Sequence, residues 1–154
     1  FKVEFIRVTH SIADSMAIAI TTPVGTVLHT GDFKVDYTPI DGGYMDLQRI
    51  AELGQQGVTL LLSDSTNVLR PGHTMSEKSV GKELERLFTN CNKRIIVATF
   101  ASNVHRIQQI VNSAVKYNRK IAVCGRSMIN MIDAARELNY IDAPFSWTAV
   151  NHAL

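Results

Sequence analysis

Cysteine is scarce in this chain: its 154 residues hold two, Cys91 and Cys124, far apart and with no CxxC pairing. That excludes a disulfide-dense secreted scaffold and fits a reducing, cytoplasmic setting, with both thiols expected to be buried or idle. Long apolar runs are lacking as well. Nothing approaches the roughly 20 consecutive residues of a membrane-spanning helix, so no membrane role is expected. An excess of one charge is missing too: 16 basic residues against 14 acidic leave a formal charge of +2. So small a field does not announce nucleic-acid binding, and any polyanion site must come from local arrangement. Neither GxGxxG after a strand nor GxxxxGK[ST] occurs, which removes the usual dinucleotide and nucleoside-triphosphate cradles. Repeats, low-complexity tracts and charge runs are absent.

What is present has the composition of a globular protein, long enough for one domain or for two partial ones. The opening FKVEF has no Met and no signal-like segment, and reads as an entry in mid-strand, hence as a fragment. Residues 2–7, 16–22 and 25–30 alternate and are rich in β-formers, with Pro23-Val24-Gly25 as the turn, which predicts a small antiparallel unit. Leu47, Ile50 and Leu53 give helical spacing over residues 45–53, ending at Gly54, before an apolar strand at 58–62. Pro71-Gly72 marks a loop, and Thr74-Met75-Ser76-Glu77 matches a capping box opening a helix to about Phe88. Beyond it, a strand at 95–99, a helix at 103–117, a strand at 120–124 and a helix at 128–138 imply a parallel, Rossmann-like sheet with crossover helices. The tail, NYIDAPFSWTAVNHAL, shows no periodicity.

Several residues stand where chemistry is carried out. His10 follows a strand in a polar loop, either as a metal ligand or as an ordinary loop histidine. Asp32, in HTGDFK, follows a strand and Gly31, either as a turn residue or as a carboxylate able to bridge two cations. Asp64, in SDSTN, ends a buried strand, equally readable as an oriented acid or as an Asx turn. At FASNVHR (residues 100–106) and CGRS (124–127), strand-to-helix junctions present free N–H groups that favour phosphate, although Ser102 also reads as a plain helix cap. With Arg106 and Arg126 beside them, the two helix starts fit a phosphodiester groove. His29 is expected in a buried strand or beside a ligand, and His73 and His152 at the surface.

Taken in order, HSIADS, HTGDFK, LLLSDSTN, IIVATFASNVHRIQQI and GRSM strongly resemble the bacterial ribonuclease J family, of the β-CASP branch of the metallo-β-lactamase superfamily. The resemblance covers about Phe1 to Leu138. It implies an α/β architecture: part of a metallo-β-lactamase αββα sandwich over residues 1–73, joined to part of a Rossmann-like, parallel-sheet β-CASP domain over 74–141. Residues 142–154 are a tail that does not look like the family's continuation. By the same resemblance, His10 and Asp32 are metal ligands, Asp32 bridging two ions, and Asp64 is a catalytic carboxylate. Ala101, Ser102 and Asn103 line the RNA path, and His105, Arg106, Arg126 and Ser127 belong with the substrate-binding set. The cofactor implied is a pair of zinc ions, with manganese or magnesium as alternatives. The partners implied are RNA and further copies of the complete protein.

The family's main ligand cluster, HxHxDH, has no counterpart here, because no two histidines have that spacing. Two ligands cannot close the shell of a catalytic zinc, which takes at least three from protein. The expected activity is therefore that of a metal-dependent ribonuclease, 5′-to-3′ exonuclease and endonuclease in mRNA decay and rRNA maturation, with this chain alone inactive. A non-catalytic RNA-binding or assembly module is the competing reading. A lactamase-fold hydrolase of a small ester leaves the second half without a purpose.

Overall fold

The computed structural model describes residues 1–40 and 43–144, and by backbone alone 148–149. The chain divides into two compact units, one of residues 1–10 and 14–76, the other of 11–13 and 77–154.

In the first unit, β1 (Lys2–Arg7), β2 (Met16–Thr22) and β3 (Gly25–His29) form an antiparallel run, and β4 (Leu60–Leu62) pairs with β3 in parallel. The order β1-β2-β3-β4 makes a mixed sheet. Alternation then decides burial. Ile6, Ala17, Ala19 and Leu28 point to one face, where Leu53 and Ile50 of α1 (Leu47–Gln56) cover them. On the other face the paired rows Val3–Ile20–Val27–Leu60 and Phe5–Ile18–His29–Leu62 carry apolar side chains, with Val3, Phe5, Leu60 and Leu62 exposed. A sheet apolar on both faces is the pattern of a strand layer built to sit between two others. Helix α1 starts at its cap Asp46, whose carboxylate accepts from the Arg49 N–H, and runs through Gly54 to a cap at Gly57. The expected stop at Gly54 is thus corrected: an interior glycine costs only about 1 kcal/mol, and the apolar stripe outweighs it. The strand expected over 58–62 shortens to β4, whose three residues pair with Val27, Leu28 and His29, while Thr59 just ahead still donates its N–H to the Thr26 carbonyl over 2.8 Å.

The second unit is helical: α2 (Glu77–Asn90), α3 (Val104–Lys116) and α4 (Arg126–Glu137), with β5 (Ala122–Val123) paired in parallel to β6 (Thr148–Ala149). Leu84 and Phe88 of α2 pack on Ala114 of α3. The two helices approach closely at Gly81, where a Cβ would lie 2.2 Å from Oε1 of Gln109. A second cluster joins Val104, Ile107 and Val111 of α3 to Val123, Ile132, Ala135 and Ile141.

Two expectations fail in this unit. The capping box does not form: α2 begins at Glu77, which puts that carboxylate in the first turn rather than the third position, and Glu77 binds Arg106 instead. Residues 95–99 are not a strand, since their backbone has no ladder partner among the described residues; Ile95 docks against α2 and α3 while Ile96 is 89% exposed. The tail, whose sequence shows no periodicity, contributes β6. His152, expected at the surface, lies outside the described residues.

Candidate metal-side cluster and helix starts

The turn after β3 is built by short-range hydrogen bonds. Gly31 adopts φ +60°, where L side chains are strained, and a Cβ there would stand 2.9 Å from the Met16 carbonyl oxygen. The Gly31 N–H donates to Nδ1 of His29 over 3.0 Å. His29 is exposed and spent on the turn, so of the two expectations, buried in its strand or beside a ligand, the buried one is corrected. This tight bend lifts Asp32 off the sheet, with its Oδ2 4.0 Å from Nε2 of His10. From the other side, Thr9 fixes the loop that follows. Its hydroxyl donates to the Lys34 carbonyl and accepts from the Asp36 N–H (3.4 Å), while the Lys34 N–H donates to the Thr9 carbonyl over 2.7 Å.

Asp64 sits just past β4. Its Oδ1 accepts from the Thr66 N–H (2.9 Å) and hydroxyl (2.6 Å), and its Oδ2 from the Phe33 N–H (3.4 Å). The Asx turn that was one reading of this segment is thus formed. The Thr66 hydroxyl, then the Thr66 and Phe33 amides, hold the Asp64 carboxyl below its ordinary range against a partial desolvation, and the nearby His10 adds to the effect. An acid so held is an anion at neutral pH, suited to accepting a hydrogen bond or facing a cation and unsuited to donating a proton.

The structure thus gathers His10, Asp32 and Asp64 at one end of the sheet from three separate segments. The donors fit a divalent cation in kind, imidazole and carboxylate being ligands of zinc. They fit in spacing as well: zinc bonds run about 2.0–2.2 Å, so one ion could touch both His10 and Asp32. They fall short in number. Among the described residues no group of three or more His, Cys, Asp or Glu side chains could hold a metal ion.

In the second unit the two helix starts differ. At α3, Asn103 is buried and its Oδ1 accepts from the Arg106 N–H over 3.1 Å, so Asn103 is the cap and Ser102 is not. Arg106 is committed as well: its Nη2 donates to Oε1 and Oε2 of Glu77 at 2.8 and 3.0 Å, and its Nε to Oε2 at 3.2 Å. The α3 start is closed by its own side chains. Ser102 is exposed, and Ala101 and His105 are half-buried. At α4, Gly125 is the cap and supplies no side-chain hydrogen bond. Arg126 and Ser127, both exposed, line an open concavity of about 520 Å³ with Asn130, Met131 and Ala134. This corrects the expected helix at 128–138, which begins two residues earlier and takes Arg126 and Ser127 into its first turn. Neither thiol is in a disulfide; Cys91 is half-buried and Cys124 exposed, so of the two expectations, buried or idle, burial does not hold.

Comparison with known sequences shows what these segments are similar to. The chain is 58% identical to ribonuclease J of Synechocystis sp. over 94% of its own length and 22% of that relative's. The chain is similar to part of ribonuclease J. It is also 45% identical to ribonuclease J2 of Bacillus subtilis, over 92% of this chain and 26% of that one. The chain spans about a fifth to a quarter of the length of these curated relatives. A family model described as ribonuclease J, beta-CASP domain, matches residues 92–153. That match runs through the tail, so the expected departure from the family after Asp142 does not stand. A crystal structure of a protein of unknown function from Enterococcus faecalis V583 shares the fold, with a TM-score of 0.61 at 20% identity, over 94% of this chain and 33% of that one. Among the described residues no helix is long and apolar enough to cross a membrane.

The resemblance to ribonuclease J singled out the acids and the histidine but not the threonines that hold them. Thr9 and Thr30 each stand one or two residues before a candidate ligand, and that adjacency is the signal that could have found them. Glu77 was seen as a cap and missed as the partner of Arg106.

Proposed function

We propose that this chain supplies part of a metal-dependent ribonuclease of the ribonuclease J kind, acting on RNA phosphodiesters as 5′-to-3′ exonuclease and endonuclease in RNA decay and rRNA maturation. The observation that carries the reading is the convergence of His10, Asp32 and Asp64 at the sheet end, in a chain 45–58% identical to proteins of that name. His10 and Asp32 would be two of the ligands of a zinc site. Asp64, held as an anion, is the carboxylate beside it. A bound metal, zinc or alternatively manganese or magnesium, would supply activated water at neutral pH and countercharge at the phosphodiester.

The apolar outer rows of the β1–β4 sheet support a metallo-β-lactamase αββα sandwich in which a further layer covers them. On the substrate side, the open α4 start with Arg126 and Ser127 is the better phosphate-binding end. Ala101, Ser102 and His105 flank the α3 start, where Asn103 and Arg106 act as cap and strut. The commitment of Arg106 to Glu77 also counts against a metal-free RNA-binding module built on that arginine. Cytoplasmic location and self-association belong to the same reading.

The test is cleavage of a 5′-monophosphorylated RNA with zinc or manganese, by this chain and by the longer protein carrying the segment. The longer protein cuts and stops on chelation, Asp32→Ala and His10→Ala abolish cutting, and the chain alone is inactive. Cutting that survives chelation sinks the proposal, as does an active Asp32→Ala variant. Salt-sensitive RNA binding by the chain, indifferent to chelator, would favour the binding module.

A further inference from the structure

We infer that Thr30 is a positioning residue whose hydroxyl couples the Asp32 turn to the Asp64 strand end, a role that rests on the reading of Asp32 as a metal ligand. Its Oγ1 donates its one hydrogen to the Gly31 carbonyl over 2.8 Å and accepts from the Asp64 N–H over 2.9 Å. The Thr30 N–H itself donates to the Leu62 carbonyl over 2.9 Å, two residues before Asp64. One residue thus touches, within hydrogen-bond distance, the peptide preceding Asp32 and the amide of Asp64. A hydroxyl is the group this place requires, since it gives to one loop and takes from the other; a methyl can do neither and leaves the Asp64 amide unpaired. The geometry of the two carboxylates then depends on a side chain that contacts neither carboxylate. Such outer contacts typically tune metal affinity by 10- to 100-fold.

The experiment uses the longer protein carrying this segment, prepared metal-free, with Thr30→Val, Thr30→Ala, Thr30→Ser and Asp32→Ala. Zinc affinity is read by competition with a chelating dye, ligand geometry by the visible spectrum of the cobalt(II)-loaded protein, and fold by the metal-free melting temperature. Thr30→Val is expected to lose about 10- to 100-fold in affinity and to shift the cobalt spectrum. Thr30→Ser keeps both within about threefold of the parent, at or below the small end of such outer-contact effects. Thr30→Ala removes the hydroxyl without adding bulk, and decides the matter should Thr30→Val not fold. Parent-like affinity and spectrum in a folded hydroxyl-free variant overturn the inference. So does a Thr30→Ser loss as large as that of Thr30→Val, because the methyl rather than the hydroxyl would then be at work. If Asp32→Ala binds zinc like the parent, the ligand reading itself falls and the inference with it; if Asp32→Ala loses zinc and the hydroxyl-free variants do not, only the inference falls.

Discussion

The first unit makes its own β-structure, whereas the second makes helices and, among the described residues, leaves the apolar segment 95–99 without a ladder. In the first, a hairpin closes β2 on β3 through a short local turn, β1 joins across another short loop, and β4 returns to β3 after α1. In the second, α2, α3 and α4 find one another, but residues 95–99 are an apolar run of which Ile95 and Thr99 alone are half-buried. A helix satisfies its backbone internally and a strand cannot, so the same apolar pattern folds or fails according to what lies beside it.

The sharpest way to break this comparison is a pair of truncations. Ile6→Ala, in the covered face of β1 at 2% exposure, is expected to cost about 2–5 kcal/mol, whereas Ile96→Ala stays within about 0.5 kcal/mol. Urea unfolding of both variants checks it, and equal losses would mean that residues 95–99 are packed after all. Next comes the strut between α2 and α3. Glu77→Gln leaves Arg106 without its bidentate partner, and at side-chain exposures of 12% and 31% the loss lies between the ~1 kcal/mol of an exposed pair and the ~3–5 kcal/mol of a buried one. Hydrogen exchange in α2 and α3, set against an unchanged β1–β3, reads whether the damage stays in the second unit.

A smaller effect tests whether the two units cap their helices alike. Asp46→Ala and Asn103→Ala each remove a side-chain acceptor from a first-turn amide, Arg49 and Arg106, and each should lower stability by about 1 kcal/mol. A larger loss for buried Asn103 would show that its capping is tied to the Arg106–Glu77 pair. The smallest effect is electrostatic. The Arg49 guanidinium holds Glu4 down to about 2, so the folded state binds its proton less readily than the unfolded one. The stability this gives is complete above the ordinary glutamate range and is lost as pH falls through it toward about 2. The melting temperature of Glu4→Gln should therefore approach that of the parent as the solution is acidified; parallel curves would rule the pair out as a source of acid sensitivity.

Much of the first unit was legible because its signals are local. Alternation marked β1 to β3, and Gly31 before Asp32 marked the turn. The limits of α1 and β4 were not, since Gly54 and Val58 take their state from neighbours rather than from propensity. In the second unit the helices were read from their apolar spacing, but the fate of residues 95–99 depends on a partner that no local pattern names. Of the candidate site, His10, Asp32 and Asp64 were singled out through resemblance to ribonuclease J; their residue types alone favoured ordinary loop and turn roles for His10 and Asp32 and left the readings level for Asp64. The closing of the α3 start by Asn103 and Glu77 was hidden because Glu77 lies 29 residues from Arg106 and looked like a cap of its own helix.

Gly31 and Asp32 are neighbours under different kinds of constraint. At position 31 any side chain meets both an unfavourable backbone and the Met16 carbonyl, so replacement damages the fold itself. At position 32 the side chain is 79% exposed, and many residues would be accommodated without strain. A saturation library scored once for folded protein and once for metal binding should lose position 31 in the first screen and position 32 only in the second. Adjacent letters of the sequence would then record, separately, what the chain needs to exist and what it needs to act.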